Sequence, residues 1–140
     1  MKQKIYEAYT KTILEEEKVP TSVYRFCKNI GIEESEFYKH FASLEHLKGQ
    51  IFCQFFDNAL SLIQKEKGYV SKAPQEKLLS FYFTFFEVLL MNRSYVLFAL
   101  NGEKNPMEKM STLKPLRTVF KQFVTVLIQD GNALKQSKLT

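Results

Sequence analysis

Between Pro20 and Ser43 the chain has room for two short helices, and Gly31 sits where they must join. Val23, Phe26, Cys27 and Ile30 recur at helical spacing behind Thr21 and Ser22, whose hydroxyls suit a helix cap. Gly31 ends that run, because glycine takes positive φ at little cost and so makes the tight turn. A third helix is expected over residues 34–41, with Phe37 and Phe41 four apart on its inner side, and Ser43 is expected to cap a fourth. A helix, a tight turn and a second helix that presents its N-terminal side chains form the arrangement that enters the major groove of DNA.

The rest of the chain is also periodic. Ile5, Ala8, Tyr9, Thr12 and Ile13 mark an amphipathic first helix over residues 3–17, which Pro20 prevents from continuing. After Ser43 a long helix carries Leu44, Leu47, Ile51, Phe55 and Leu62 on a wide apolar stripe, up to the Lys-Gly pair at 67–68. From Pro74 and Gln75 the run Leu78 to Met91 has hardly any polar side, which predicts a helix buried all round. A further helix is expected over 95–100, then a loop at 101–106. Pro115 is expected to start a last helix with Leu116, Val119, Phe120, Phe123, Val124, Leu127 and Ile128 inward, and the tail after Asp130 to fray.

Thirteen Phe and seven Tyr give an aromatic interior, while five Gly and four Pro in 140 residues suit long helices rather than a turn-rich β fold. The fold class is therefore all-α. Two cysteines, Cys27 and Cys53, are too few for a disulfide framework and form no zinc motif, which points to a reducing cytoplasm. No stretch reaches the roughly 20 apolar residues of a membrane span. Nucleophile–base pairs, paired carboxylates, metal spacing and phosphate loops are missing too, so neither an enzyme nor a cofactor or metal is expected. The net charge is +5, but residues 1–50 hold eight basic and eight acidic side chains against twelve and seven in residues 51–140, so the surplus lies outside the helix-turn-helix.

The string from Thr21 to Glu33, followed by Glu36-Phe37-Tyr38-Lys39-His40-Phe41 and Ser43-Leu44-Glu45-His46-Leu47, resembles the N-terminal signature of the tetracycline-repressor (TetR) family over about residues 3–56. The resemblance implies a DNA-binding head at 1–48 and a helical effector-binding and dimerisation body at 49–140. It implies a homodimeric regulator that reads a palindromic operator. Thr21, Ser22, Tyr38 and His40 would hold phosphates, and Ser35, Glu36 and Lys39 would face base edges. Leu44 replaces the family's usual Lys, and Lys48, one turn on, is the candidate to stand in for it. Glu33, Glu34 and Glu36 suit the helix dipole and repel phosphate. The chain stops where family members usually continue into two dimerisation helices, so it is either a truncated segment or dimerises through another surface.

Such bodies enclose an effector pocket, for which Phe52, Phe55, Phe56, Phe81, Tyr82, Phe85, Met91, Tyr95 and Phe98 are the candidates; a small hydrophobic effector would suit them. The rival reading is a TetR-like fold that holds a lipid or other apolar molecule without operator binding. Phe26, Phe37 and Phe41 read as plain core and His46 as surface.

Overall fold

The computed structural model describes residues 1–101 and 106–139, with side chains undescribed at Asn101, Glu108 and beyond Asn132. Among the described residues seven helices follow in order: α1 Lys2–Glu16, α2 Val23–Ile30, α3 Glu34–Tyr38, α4 Leu44–Gln64, α5 Pro74–Met91, α6 Arg93–Asn101 and α7 Pro106–Leu139. No strand occurs among the described residues. The chain divides into two compact units, Met1–Ile51 with Arg93–Thr112, and Phe52–Asn92 with Leu113–Thr140.

In the first unit, α1 buries Ile5, Tyr6, Tyr9 and Ile13, the side its periodicity marks. Tyr9 meets Phe26 of α2 at 5.8 Å, Phe26 meets Phe37 of α3 at 6.2 Å, and Phe37 meets Phe41 at 5.7 Å. Tyr6 closes the chain of rings on Phe41 at 5.4 Å. These edge and tilted contacts are the geometries that aromatic quadrupoles favour. α6 packs against α1 across some eighty residues of sequence, where buried Tyr95 lies 6.4 Å from Tyr9. Burial pushes the Tyr95 phenol above its ordinary pKa, and nearby Tyr9 adds to the shift.

The second unit is built on Phe52, Phe56, Ala59 and Ile63, which form one ridge of α4. Phe81 of α5 is fully buried, 4.7 Å from Phe56 and 4.9 Å from Phe123 of α7. Pro74 occupies the first turn of α5, where its missing N–H costs nothing.

Several expectations change. α3 is one turn shorter than 34–41: the Phe37 carbonyl accepts both the His40 and Phe41 N–H groups at 3.0 Å, and the chain tightens into a turn. α5 is not buried all round. Phe81 and Val88 are its buried residues, while Leu79, Tyr82, Phe83, Phe86, Leu90 and Met91 are exposed, because within its unit α5 is covered on one side. Pro115 lies inside α7, which starts at Pro106, and Pro115 therefore removes one backbone donor from the helix. Along α7 Leu127 is buried, Ile128 is exposed, and the backbone stays helical to Leu139 rather than fraying after Asp130. The expected 101–106 loop falls mostly outside the described residues, and Asn101 and Pro106 are helical.

α1 ends on Glu17, at φ 53° the one non-glycine residue in the left-handed region among those described; its N–H reaches the Ile13 carbonyl at 2.9 Å. An L side chain costs about 1–2 kcal/mol in that region. Glu17→Gly is expected to stabilise the protein by about 0.5–1 kcal/mol, part of the relief being offset by the freer unfolded chain, as read by the urea midpoint at constant m.

Candidate nucleic-acid interface

Ser22, in extended conformation, accepts the Arg25 N–H on its Oγ at 3.2 Å and so caps α2. At the other end Gly31 takes φ 75°, and the Ile32 N–H reaches back to the Cys27 carbonyl at 3.0 Å. A side chain at residue 31 would carry the left-handed strain that glycine avoids. The turn angle is thereby fixed at both ends of α2, and Phe37, fully buried against Phe26, sets how α3 leaves it.

This scaffold leaves Ser35, Tyr38 and Lys39 exposed on and just after α3, and Thr21 exposed ahead of α2. Tyr38 stands edge-on to Phe37 at 5.5 Å, which braces its ring without covering it. Ser22, Glu36, His40 and Lys48 are half-buried. Ser22 thus spends its hydroxyl oxygen on the cap.

Glu36 is more entangled than its sequence position suggests. Its carboxylate takes Lys39 Nζ at 3.2 Å and lies 3.5 Å from His40 Nε2, which adds a charge interaction when the imidazole is protonated. The hydrogen bond from Lys39 outweighs desolvation and, with the His40 interactions, holds the Glu36 carboxyl below its ordinary range. One acid therefore engages two of the four candidates that follow it, Lys39 and His40 out of Tyr38, Lys39, His40 and Lys48. The i,i+3 and i,i+4 spacings carry the signal for this pairing.

Two features escape the sequence reading. Tyr24, Arg25 and Lys28 are exposed on α2, opposite Phe26 and Cys27, and add an aromatic hydroxyl and two cations to the outer side of the motif. They were legible as the complement of the apolar positions 23, 26, 27 and 30. His46 is exposed but structural: its N–H donates to Ser43 Oγ at 3.0 Å, while its Nδ1 accepts the Ala42 N–H at 3.1 Å. The Ser43 half is that of a capping box, while the imidazole reaches one residue further back than the Glu or Gln of that motif, to the N–H ahead of the cap.

The effector candidates are divided between the two units. Phe52, Phe55, Phe56 and Phe81 are buried core of the second unit, and Phe85 stacks on Phe81 at 5.4 Å. Tyr95 is core of the first unit, to which half-buried Phe98 also belongs, and Met91 is exposed. What the second unit does offer is an open groove of about 430 Å³ along α5, lined by Leu79, Tyr82, Phe83, Phe85, Phe86 and Leu89. Tyr82 and Phe85 alone come from the candidate set. The others were missed because an apolar side on every turn was taken as burial on every turn.

Cys27 and Cys53 are buried, and burial pushes both thiols up, that of Cys53 to about 11 with help from Asp57. Both are therefore neutral thiols at neutral pH. Among the described residues no group of three His, Cys, Asp or Glu side chains is placed to hold a metal, and no single helix is long and apolar enough to cross a membrane.

The fold and this motif define an all-helical, helix-turn-helix protein. Residues 77–140 match the model of the tetracycline repressor-like C-terminal domain, on the half of the chain that the N-terminal signature does not cover. Over that stretch the chain is similar to the tetracycline-repressor family. Comparison with curated proteins and with solved structures found no match.

Replacing His46 with Ala is expected to cost about 1 kcal/mol, since it strips one partner from the start of α4. His46→Gln, which keeps an acceptor, is expected to recover part of the loss in the same thermal or urea measurement.

Proposed function

We propose that the protein is a cytoplasmic, homodimeric transcriptional regulator that binds a palindromic operator through α2 and α3 and answers to a small apolar effector. The observation that carries this reading is the doubly capped helix-turn-helix, whose outer surface presents Tyr24, Arg25, Lys28, Ser35, Tyr38 and Lys39 together. Thr21, Tyr24, Arg25, Lys28, Tyr38 and His40 would take phosphates, and Lys48 would supply a further cation on α4. Ser35 and Lys39 would face base edges, with Lys39 suited to guanine. Glu36 would either read a cytosine amino group or keep Lys39 in place. The pairing seen here favours the second role.

The same pairing favours one rival, a TetR-like protein that binds an apolar molecule and no operator. An acid that occupies Lys39 and approaches His40 lowers the positive potential of the reading surface, and the α5 groove supplies apolar area. Selection on random duplexes followed by gel shift separates the two. The operator reading expects saturable retardation that weakens steeply with salt; its absence at low ionic strength, with an apolar molecule retained in native mass spectrometry, establishes the rival.

Lys39→Ala and Tyr38→Ala are each expected to weaken binding about tenfold, in line with the loss of one charge-assisted or positioning contact. Glu36→Gln works in the opposite direction. It frees Lys39, which on a non-specific duplex, where it reads no base, would meet a phosphate: non-specific affinity is expected to rise several-fold and the slope of log K against log salt to steepen by about 0.9, the value of one added phosphate contact. An unchanged slope would show that Lys39 does not reach the backbone even when released.

A further inference from the structure

The two oxygens of the Glu36 carboxylate face different partners: Oε2 takes Lys39 Nζ at 3.2 Å, and Oε1 lies 3.5 Å from His40 Nε2. The Lys39 side chain is 69 % exposed, whereas the His40 imidazole is 24 % exposed and becomes a cation only when it takes up a proton. His40 Nε2 is itself fully enclosed and makes no hydrogen bond among the described residues. So placed, it offers no donor to a phosphate, and a proton added to the ring turns the contact with Glu36 into a charge-assisted one. The other titratable and charged groups of this corner come from three helices. Phe41, 6.3 Å from His40, also touches Tyr6 of α1 and His46 of α4, and His46 is followed by Lys48 and preceded by Glu45. α2 meets α3 through Phe26 and leaves Arg25 and Lys28 exposed. Lys39 and His40 are the charged groups that act on the Glu36 carboxyl.

We propose that the Glu36–His40 contact is a proton-binding site that gates Lys39: protonated His40 takes over the carboxylate and releases the Lys39 ammonium to the duplex, so that DNA binding takes up a proton. The inference rests on the operator reading and gives His40 an indirect part in it, through Glu36 rather than on a phosphate. The coupling runs both ways. A duplex that draws Lys39 away leaves the whole carboxylate to His40 and favours its protonation by the same factor by which protonation favours the duplex. For a part-exposed, water-screened pair that factor is about two- to fivefold. Affinity therefore rises as pH falls through the histidine range and is lowest where both imidazoles are neutral. The chain has two histidines, so His40 and His46 are the side chains whose ordinary chemistry changes charge there. His46 is the internal control, because its Nδ1 is engaged by the Ala42 N–H and it is no partner of Glu36.

Fluorescence anisotropy of a mixed-sequence duplex at low ionic strength, followed from about pH 8 to about pH 6, tests it, with circular dichroism confirming that each variant keeps its helix content. The affinity of the full chain is expected to rise about two- to fivefold over that range. Glu36→Gln is expected to bind at the upper pH as the wild type does at the lower one, and to respond no further. His40→Gln and Lys39→Ala are expected to lose the response and stay weak, the first for want of the proton and the second for want of an ammonium to release. His46→Gln is expected to keep the response. A direct contact of His40 with phosphate would leave the response intact in Glu36→Gln and Lys39→Ala. That result, a wild type that binds without any pH response, or a response lost in His46→Gln would each overturn the proposal and leave operator binding standing. The proton site is also read without DNA, by NMR of the histidine rings at about pH 6.5. Glu36→Gln is expected to lower the protonated fraction of His40 and Lys39→Ala to raise it, and no change in either would overturn the proposal. Both changes in a protein that binds no duplex would establish the proton site and overturn the operator reading instead.

Discussion

The burial of Phe37 is the constraint on which the outward side of α3 depends. α3 is five residues long and too short to persist on its own hydrogen bonds, since nucleation costs more than one turn returns. It exists because Phe37 is wholly enclosed between Phe26 and Phe41, and those rings are themselves held by Tyr9 and Tyr6 of α1. Every outward side chain of α3 therefore takes its direction from an inward ring. Ser22 and Gly31 complete the device from the backbone side, fixing where α2 begins and where it must stop.

The electrostatics of that surface are set by competition rather than by net charge. Lys39 and His40 follow Glu36 by three and four residues, and helical spacing brings both to its carboxylate. The pair is exposed on the Lys39 side, so water screens it and its strength is modest. A duplex sets many phosphates against this one carboxylate and can displace it. On the proposed reading Glu36 acts as a threshold: weak, non-specific polyanions gain little from Lys39, whereas a duplex that engages Tyr24, Arg25 and Lys28 together can draw it away.

Local features of the fold were legible in the sequence, and their reasons are local. The Ser22 cap, the Gly31 stop, the Ser43 cap, Pro74 in a first turn and the apolar side of α1 each need only a few neighbouring residues to be decided. What was not legible depends on partners far away. Nothing in Tyr95 says that it will lie beside Tyr9 rather than line a pocket, because the choice is made by where α6 packs. Pro115 reads as a helix start by propensity, yet a longer helix tolerates it by giving up one hydrogen bond. His46 looked like surface because its hydrogen bonds run to backbone groups that the sequence does not display.

The misreading of α5 is instructive about what apolar residues mean. A helix that is apolar on every side satisfies two different demands with one composition. The side formed by Phe81 and Val88 meets Phe56 and Phe123 and holds its own unit together. The side formed by Phe83 and Phe86 meets no such cover and remains exposed at a free-energy cost, about 25 cal/mol for each Å² left in water. Aromatic side chains that served the unit alone would relieve that cost on replacement by Glu, Lys or Gln, which are as good or better helix formers. On the proposed reading, the short α3 makes a demand of its own: a head with so few base contacts gains specificity by acting in a pair.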